Sequence, residues 1–576
     1  MKKILVTVIA IIVLVIVLVG VLFGEQIKIR FVEGTEYADL QSYFKLESDE
    51  QGAIILDRVI LSEKAVVSDG VFYLDLTTIQ TYLHNRFYYS STDGEIRYSD
   101  ATSIYAAYLD GAAWTELTAG VTSEYEESYT IAYVQDDTCY IAIDFVAKFV
   151  DMSVAYATDP DRVVIQTDFD AQAEVVTVAK DTSVRWFAGL QSDILSDIYS
   201  GDMLYLMAEQ DVEDWTKVIT YDGYIGYVRD KYLEDDVSVA VFDRVTAEFP
   251  ESEFTSISFE DPIALGFQAV YSMAGNDELT SLARTAYSMN VVSPTWFAVC
   301  DDVGNITSLA SKSYVDTAHS LGLQVWGLVN DFEYDIDMYA ILSSAENRTR
   351  LINNIIAQVE ATGMDGINID FELISSAAGV HYVQFMRELG IVCREKGIVL
   401  SVDKYPSNSG NTYYDYVELG IVTDYVILMG YDEHWGGSGD PGSTASSSFV
   451  MQSIDNIIAL IDKDKVINAL PFYTRFWSIA SDGTVTDQAI TMINTDTVVA
   501  NNNMTVTWDD ETGQNYAEVT TSSGTIHKMW IEDVTSLQNK LESVVDREIA
   551  GVAAWRLGYE NQGAWDLIQI FLDKLK

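Results

Sequence analysis

The chain has 576 residues, of which 34 are Lys or Arg and 88 are Asp or Glu, for a formal net charge of −54. That length accommodates roughly three or four domains, and 48% apolar with 12% aromatic residues provides for sizeable cores. So acidic a surface excludes nucleic acid and anionic lipid as partners. The three separated cysteines (Cys139, Cys300, Cys393) and five scattered histidines offer neither a disulfide framework nor a metal-ligand spacing, so no metal and no cofactor is expected.

In chain order, Ile4 to Phe23 is an aliphatic run interrupted only by Thr7 and Gly20. As a helix it spans a hydrocarbon core of about 30 Å. Val21-Leu22-Phe23-Gly24 makes a poor signal-peptidase site. The expectation is an uncleaved membrane anchor over residues 1–24, with the rest of the chain outside the cell and facing the wall. Residues 25–65 read as a lead-in of short strands and polar turns.

An internal duplication follows over residues 66–171. Tyr73-Leu74-Asp75-Leu76, with Ile79 and Leu83, recurs as Tyr140-Ile141-Ala142-Ile143, with Val146 and Val150. Each copy runs on into an alternating strand pair, so a strand, a short helix and a hairpin form the unit. This pattern resembles the copper amine oxidase N-terminal-like domain of bacterial surface proteins, although no histidine set for copper is present. Residues 172–236 read as an all-β block, with Asp222-Gly223 as a hairpin signal between alternating runs. It resembles bacterial SH3-like domains, which implies binding to peptidoglycan or its stem peptides; a spacer barrel with only core aromatics is the equal alternative. Residues 237–260 read as an acidic linker.

From residue 261 strands alternate with helices. The strand candidates are 264–271, 291–299, 324–329, 366–372, 399–403, 424–431, 466–471 and 551–557. Eight such strands predict a (β/α)8 TIM barrel over 261–576, with a small α+β insertion at about 472–530. The complete expectation is multidomain: that C-terminal barrel, preceded by a small all-β SH3-like barrel, a duplicated α+β domain and an N-terminal transmembrane helix.

Within the fourth strand, Gly366 to Glu372, alternation puts Ile367, Ile369 and Phe371 on one face and Asn368, Asp370 and Glu372 on the other. Buried charges cost several kcal/mol unless paired, and the mouth of a parallel barrel is where chemistry is kept. Asp365-Gly366-Ile367-Asn368-Ile369-Asp370-Phe371-Glu372 resembles the Asp-Gly-x-Asp-x-Asp-x-Glu signature of family 18 glycoside hydrolases, the chitinase-like barrel. Met429-Gly430-Tyr431-Asp432, Leu470-Pro471-Phe472-Tyr473-Thr474-Arg475 and Ala554-Trp555 resemble its sixth, seventh and eighth strand ends. Asn at 368 is most similar to the branch of spore and cell-wall lysins.

That resemblance implies substrate-assisted hydrolysis, in which the substrate's own N-acetyl group is the nucleophile. It makes Glu372 the proton donor and Asp370 the acetamide clamp. Tyr431 would bond the acetamide oxygen, and Trp555 would floor the sugar. Asp365 has a supporting structural role. Asn368 would donate to Asp370 without adding charge, which predicts a more acidic optimum than in a relative bearing Asp there. Met429, Asp432, Tyr473 and Arg475 complete the expected substrate-binding set. Trp296, Phe297 and Trp326 are read as sugar platforms or plain core, Glu433 as a solvated loop charge, and His434 to Gly439 as a flexible loop over the cleft.

The expected partner is a polysaccharide: peptidoglycan, cleaved by an endo-β-N-acetylglucosaminidase, with chitin or an N-glycan as alternatives. A non-hydrolytic carbohydrate-binding surface protein is the alternative of another class. Glu372 argues against it, because lectin-like relatives lose that acid.

Overall fold

Between Ile263 and Trp555 the apolar runs fold as eight parallel strands: β1 (Ile263–Gln268), β2 (Val291–Val299), β3 (Gln324–Asn330), β4 (Gly366–Asp370), β5 (Val399–Lys404), β6 (Tyr425–Met429), β7 (Val466–Pro471) and β8 (Gly551–Trp555). Each pairs with the next, and β1 pairs with both β2 and β8, so the sheet closes into the expected TIM barrel. Helices that follow these strands include α1 (Leu279–Thr285), α2 (Lys312–Ser320), α3 (Ala345–Thr362), α4 (Gly379–Lys396), α5 (Tyr416–Val422), α6 (Ser447–Ile458), α7 (Val534–Arg547) and α8 (Ala564–Leu575). The structure is a computed structural model and describes residues 33–207 and 212–576, together with Val17.

Two helices set the position of β4 and β5. In α3, Leu351, Ile352, Ile355, Ile356 and Val359 recur at helical spacing and are buried. Each such aliphatic side chain contributes about 1.5–3 kcal/mol when fully buried. Ser344 caps its start, and Gly363 ends it at φ 75°, a left-handed turn that glycine makes without a Cβ penalty. Gly397 ends α4 in the same way at φ 68°. Both chain reversals therefore feed directly into the strands that carry the acids.

The described residues divide into two compact units. One comprises residues up to Phe87, Ala107–Trp114 and Glu124–Glu251; the other, which holds the barrel, comprises Tyr88–Ala106, Thr115–Ser123 and Ser252–Lys576. Within the barrel unit, strand Glu95–Ser99 lies against α3 and α4. There Arg97 Nη1 donates to Glu388 Oε1 at 2.8 Å, and Arg348 holds the same carboxylate through two bonds of 3.0 Å. The expected insertion is a five-stranded antiparallel sheet built from Tyr473–Ile479, Val485–Thr491, Thr505–Asp509, Gln514–Thr520 and Ile526–Ile531, with the helix Thr495–Asn501.

In the other unit, the leading strands of the two repeats, Val71–Asp75 and Thr138–Ala142, pair antiparallel. They lie in a seven-stranded sheet that includes Gln51–Leu56 and Val59–Ser68. A second seven-stranded, antiparallel sheet runs from Ala173–Val178 to Leu233–Ala240, and Gly223 takes φ 94° in the turn before Ile225–Arg229. Its last strand extends to Ala240, past the point where a linker is expected, because Val237–Ala240 pair with Ala173–Val176. The expected anchor at 1–24 lies outside the described residues, apart from Val17. No helix among the described residues is long and apolar enough to cross a membrane.

Candidate active site

The inward face of β4 carries Asn368 and Asp370, both buried, and the strand itself ends at Asp370. Glu372 stands just past that end, on a turn held by the next strand over. Its backbone N–H donates to Asp331 Oδ1 at 2.9 Å, and that of Leu373 to Asp331 Oδ2 at 3.0 Å. Asp331 directly follows β3 and is fully buried. Burial raises its carboxyl against those two amides and Lys404. The Tyr405 hydroxyl, just past β5, donates to Glu372 Oε2.

Asp370 has a buried Oδ1 without a hydrogen-bond partner. Burial first, and the neighbouring Asp403 and Glu372 next, push its carboxyl well above the usual carboxylate range. Its expected partner is turned elsewhere. Asn368 Nδ2 donates to Asp403 Oδ2 at 2.7 Å, and Asn368 Oδ1 accepts from Ser401 Oγ at 2.9 Å. The reason is register: Asn368 sits opposite Ser401 on β5, so its amide is spent across the strand pair rather than along its own strand.

The cation beside these acids is Lys404. Its Nζ donates to the Phe371 carbonyl at 3.0 Å and lies 4.7 Å and 4.2 Å from the Tyr382 and Tyr414 ring centroids. Burial brings its ammonium down to about 8, against the pull of Asp370, Asp331, Asp403 and Glu372. Asp331, Asp403, Lys404 and Tyr405 are absent from the residues expected on sequence. The signal was there in β5, an apolar run that closes in Asp-Lys-Tyr just as β4 closes in acids.

Tyr431 follows β6 and is buried, with its ring edge-on to Tyr473 at 6.2 Å between centroids. Asp432 takes φ 58° and accepts from the Tyr473 hydroxyl at 2.6 Å. Arg475 bonds Asp487 at 2.6 Å and stands 3.9 Å from Asp432. Met429 is buried at the end of β6. Trp555, half-buried at the end of β8, lies 5.5 Å from the Phe267 ring. Beyond Tyr431 a cleft of about 470 Å³ is lined by Tyr405, Asn408, Asp432 and Trp435, among others.

The structure settles the open readings and corrects others. Asp365 is not with the acids: it lies before the start of β4, where it accepts from the Val325 N–H at 2.8 Å and pairs with His319 at 2.9 Å. A strand of five residues separates it from Glu372. Trp296, Phe297 and Trp326 are core, each at most 2% exposed. Glu433 is no free loop charge, since it accepts from the N–H and hydroxyl of Ser446 at the start of α6. The glycine loop is pinned, because Gly437 N–H donates to Asp487 at 2.9 Å. A Cβ on Gly436 would also fall 2.4 Å from Arg475 Nη1. Among the described residues no group of three or more His, Cys, Asp or Glu is placed to hold a metal ion.

A model of the glycosyl hydrolases family 18 matches residues 272–560. Protein YdhD of Bacillus subtilis strain 168 is 29% identical over 240 residues, which is 41% of this chain and 57% of that protein. The cortical fragment-lytic enzyme of the same organism is 25% identical over 236 residues, 40% of this chain and 54% of that enzyme. The chain thus spans little more than half the length of these two curated relatives. Among solved structures, the C-terminal domain of a Desulfitobacterium hafniense DCB-2 protein matches with a TM-score of 0.50 at 24% identity, covering 55% of this chain and all of that domain; the two share the barrel fold.

Proposed function

The chain belongs to the glycosyl hydrolases of family 18, and from that premise we propose that it is a retaining endo-β-N-acetylglucosaminidase of wall or spore-cortex peptidoglycan. Glu372 is the acid that protonates the leaving oxygen. Asp370, two residues earlier and beneath it, accepts the acetamide N–H so that the acetamide oxygen attacks the anomeric carbon. Protonation by a placed carboxyl is worth about 10²–10⁴ in rate. Tyr431 bonds the acetamide oxygen as charge develops, and Trp555 provides the apolar floor. Asp432, held by Tyr473 and Arg475, lines the cleft beyond.

The observation that carries this reading is the setting of Glu372. Asp331 fixes its backbone, Tyr405 holds its carboxylate, and it stands at the barrel mouth over a buried carboxyl that has an unpartnered oxygen. Peptidoglycan is favoured over chitin by the similarity to a cortical fragment-lytic enzyme. The remaining parts of the chain support the same assignment: residues 1–24 are an anchor, 66–171 a copper amine oxidase N-terminal-like domain, and 172–236 an SH3-like module that holds wall peptide. The catalytic unit then faces the wall from outside the membrane. Support for this comes from the aliphatic run, the sequence duplication and the all-antiparallel second sheet.

The test is digestion of purified peptidoglycan and of chitin oligomers by the full chain, with the new reducing end identified by mass spectrometry. Reducing-end N-acetylglucosamine from peptidoglycan is expected, and Glu372→Gln removes it. Release from chitin alone would move the substrate to that glycan. Release by neither would favour a carbohydrate-binding protein.

A further inference from the structure

β4 and β5 run parallel with Asn368 opposite Ser401 and Ile369 opposite Val402. The next step of that register sets Asp370 beside Asp403, on strands about 4.8 Å apart. Both carboxyls are buried, and each keeps an Oδ1 with no hydrogen-bond partner. Oδ2 of Asp403 accepts from Asn368 Nδ2 at 2.7 Å, and the other end of that amide accepts from Ser401 Oγ. Such a framework leaves Asp403 one free oxygen, on the side of the strand shared with Asp370.

From this geometry we infer that Asp403 is a positioning residue that shares one proton with Asp370 and takes it when Asp370 accepts the substrate's acetamide N–H. Two adjacent buried carboxylates do not both ionise. An empty Asp370 is the better proton holder; an Asp370 engaged by an N–H must be the anion. One proton passes from one carboxyl to the other, and the charge of the pair is unchanged. Asn368 serves this exchange by aiming Asp403, which gives the amide at that position a purpose other than orienting Asp370. The groups facing Asp403 are Asp370 and Glu372 from β4 and its following turn, Lys404 on its own strand, Tyr431 after β6 and Tyr382 on α4. Burial raises the Asp403 carboxyl to about 8, while the Asn368 bond and Lys404 pull it down; the pair therefore keeps a proton near neutrality, which rests on Asp370 while that carboxyl is empty and leaves Asp403 free to receive it.

This inference rests on the glycosidase reading for its purpose but is tested separately from it. Asp403→Asn, Asn368→Asp and the double variant are compared with wild type by kinetics on N-acetylated oligomers between pH 4 and 9. Asp403→Asn is expected to lower kcat at least about tenfold with little change in KM, and to move a limb of the pH–rate profile. Reversing the pair, Asn368→Asp with Asp403→Asn, regains at least about tenfold over Asp403→Asn alone. Wild-type kcat and unmoved limbs in Asp403→Asn overturn the assignment. Infrared difference spectra of the free protein across the same pH range need no substrate. A protonated carboxyl is expected at pH 7 in wild type, with a band and a pH dependence that Asp403→Asn shifts. Identical spectra in folded wild type and Asp403→Asn overturn the proton sharing even if the protein hydrolyses nothing.

Discussion

The Tyr405 hydroxyl donates its hydrogen bond to Oε2 of Glu372 from the neighbouring strand end. It ties the Glu372 side chain, just past the end of β4, to the neighbouring strand end. Tyr405→Phe keeps the ring and removes this tether. A hydrogen bond to a charged group is worth about 1.5–3 kcal/mol, so kcat is expected to fall about ten- to a hundredfold. Steady-state rates on chitin oligomers check this, with Glu372→Gln as the floor. An unchanged kcat would show that Asp331 alone positions the acid.

Asp365→Asn separates the two ends of β4. The carboxylate it removes anchors Val325 N–H and the partly exposed His319. Stability is expected to fall by about 1 kcal/mol, read as a lower midpoint in urea, while kcat stays within about twofold of wild type. A large loss of kcat would give Asp365 a part in the chemistry beyond that structural role.

Glu388 is buried, and although burial raises its carboxyl, Arg348 and Arg97 outweigh that and hold it at about 2. A carboxyl held below its unfolded value, near 4.3, adds stability that is complete above that value. The contribution is lost as pH falls from about 4 toward about 2. Glu388→Gln leaves two arginines facing a neutral amide and is expected to cost about 3–5 kcal/mol at pH 7. The difference from wild type shrinks below pH 4, which denaturant titrations at pH 7 and pH 3 measure.

Asp403 gives the opposite sign. Its folded carboxyl, at about 8, lies above its unfolded value near 3.9. The stability it contributes is therefore present below about pH 4 and is lost as pH rises toward 8. Its slope reaches about 1.4 kcal/mol per pH unit for one proton. Lys404 runs the other way at higher pH: its folded value, about 8, is below the unfolded one near 10.4, so stability returns from about pH 8 upward. Wild type is expected to lose stability as pH rises from 5 to 8, and Asp403→Asn to flatten that limb. A flat wild-type profile over that range would contradict the raised carboxyl.

Much of the barrel was legible in the chain because a parallel strand buried on both faces is a short apolar run, and the turns around it carry glycine. Gly363 and Gly397 announce the ends of α3 and α4 as clearly as any pattern of apolar residues. The β4 acids were legible for the same reason, since charges that close an apolar run have few structural purposes. Asp331 and Asp403 were not picked out, although they obey the same rule, because each is a single acid at its own strand end. Nothing local in Asp403-Lys404-Tyr405 says that it will meet Asn368.

The sequence by itself therefore determined which strand carries the acids and which side chains share its inner face, because strand parity is local geometry. Only the tertiary structure decided what those side chains touch. Register across β4 and β5 turned Asn368 toward Asp403, the strand's direction carried Asp365 away from Glu372, and the meeting of β3, β4 and β5 placed Asp331 and Tyr405 around the acid. Pairing between strands over thirty residues apart is set by closure of the barrel, and no local pattern of residues encodes it. The run from Asp365 to Glu372 thus names the reacting group, while its working surroundings belong to its neighbours.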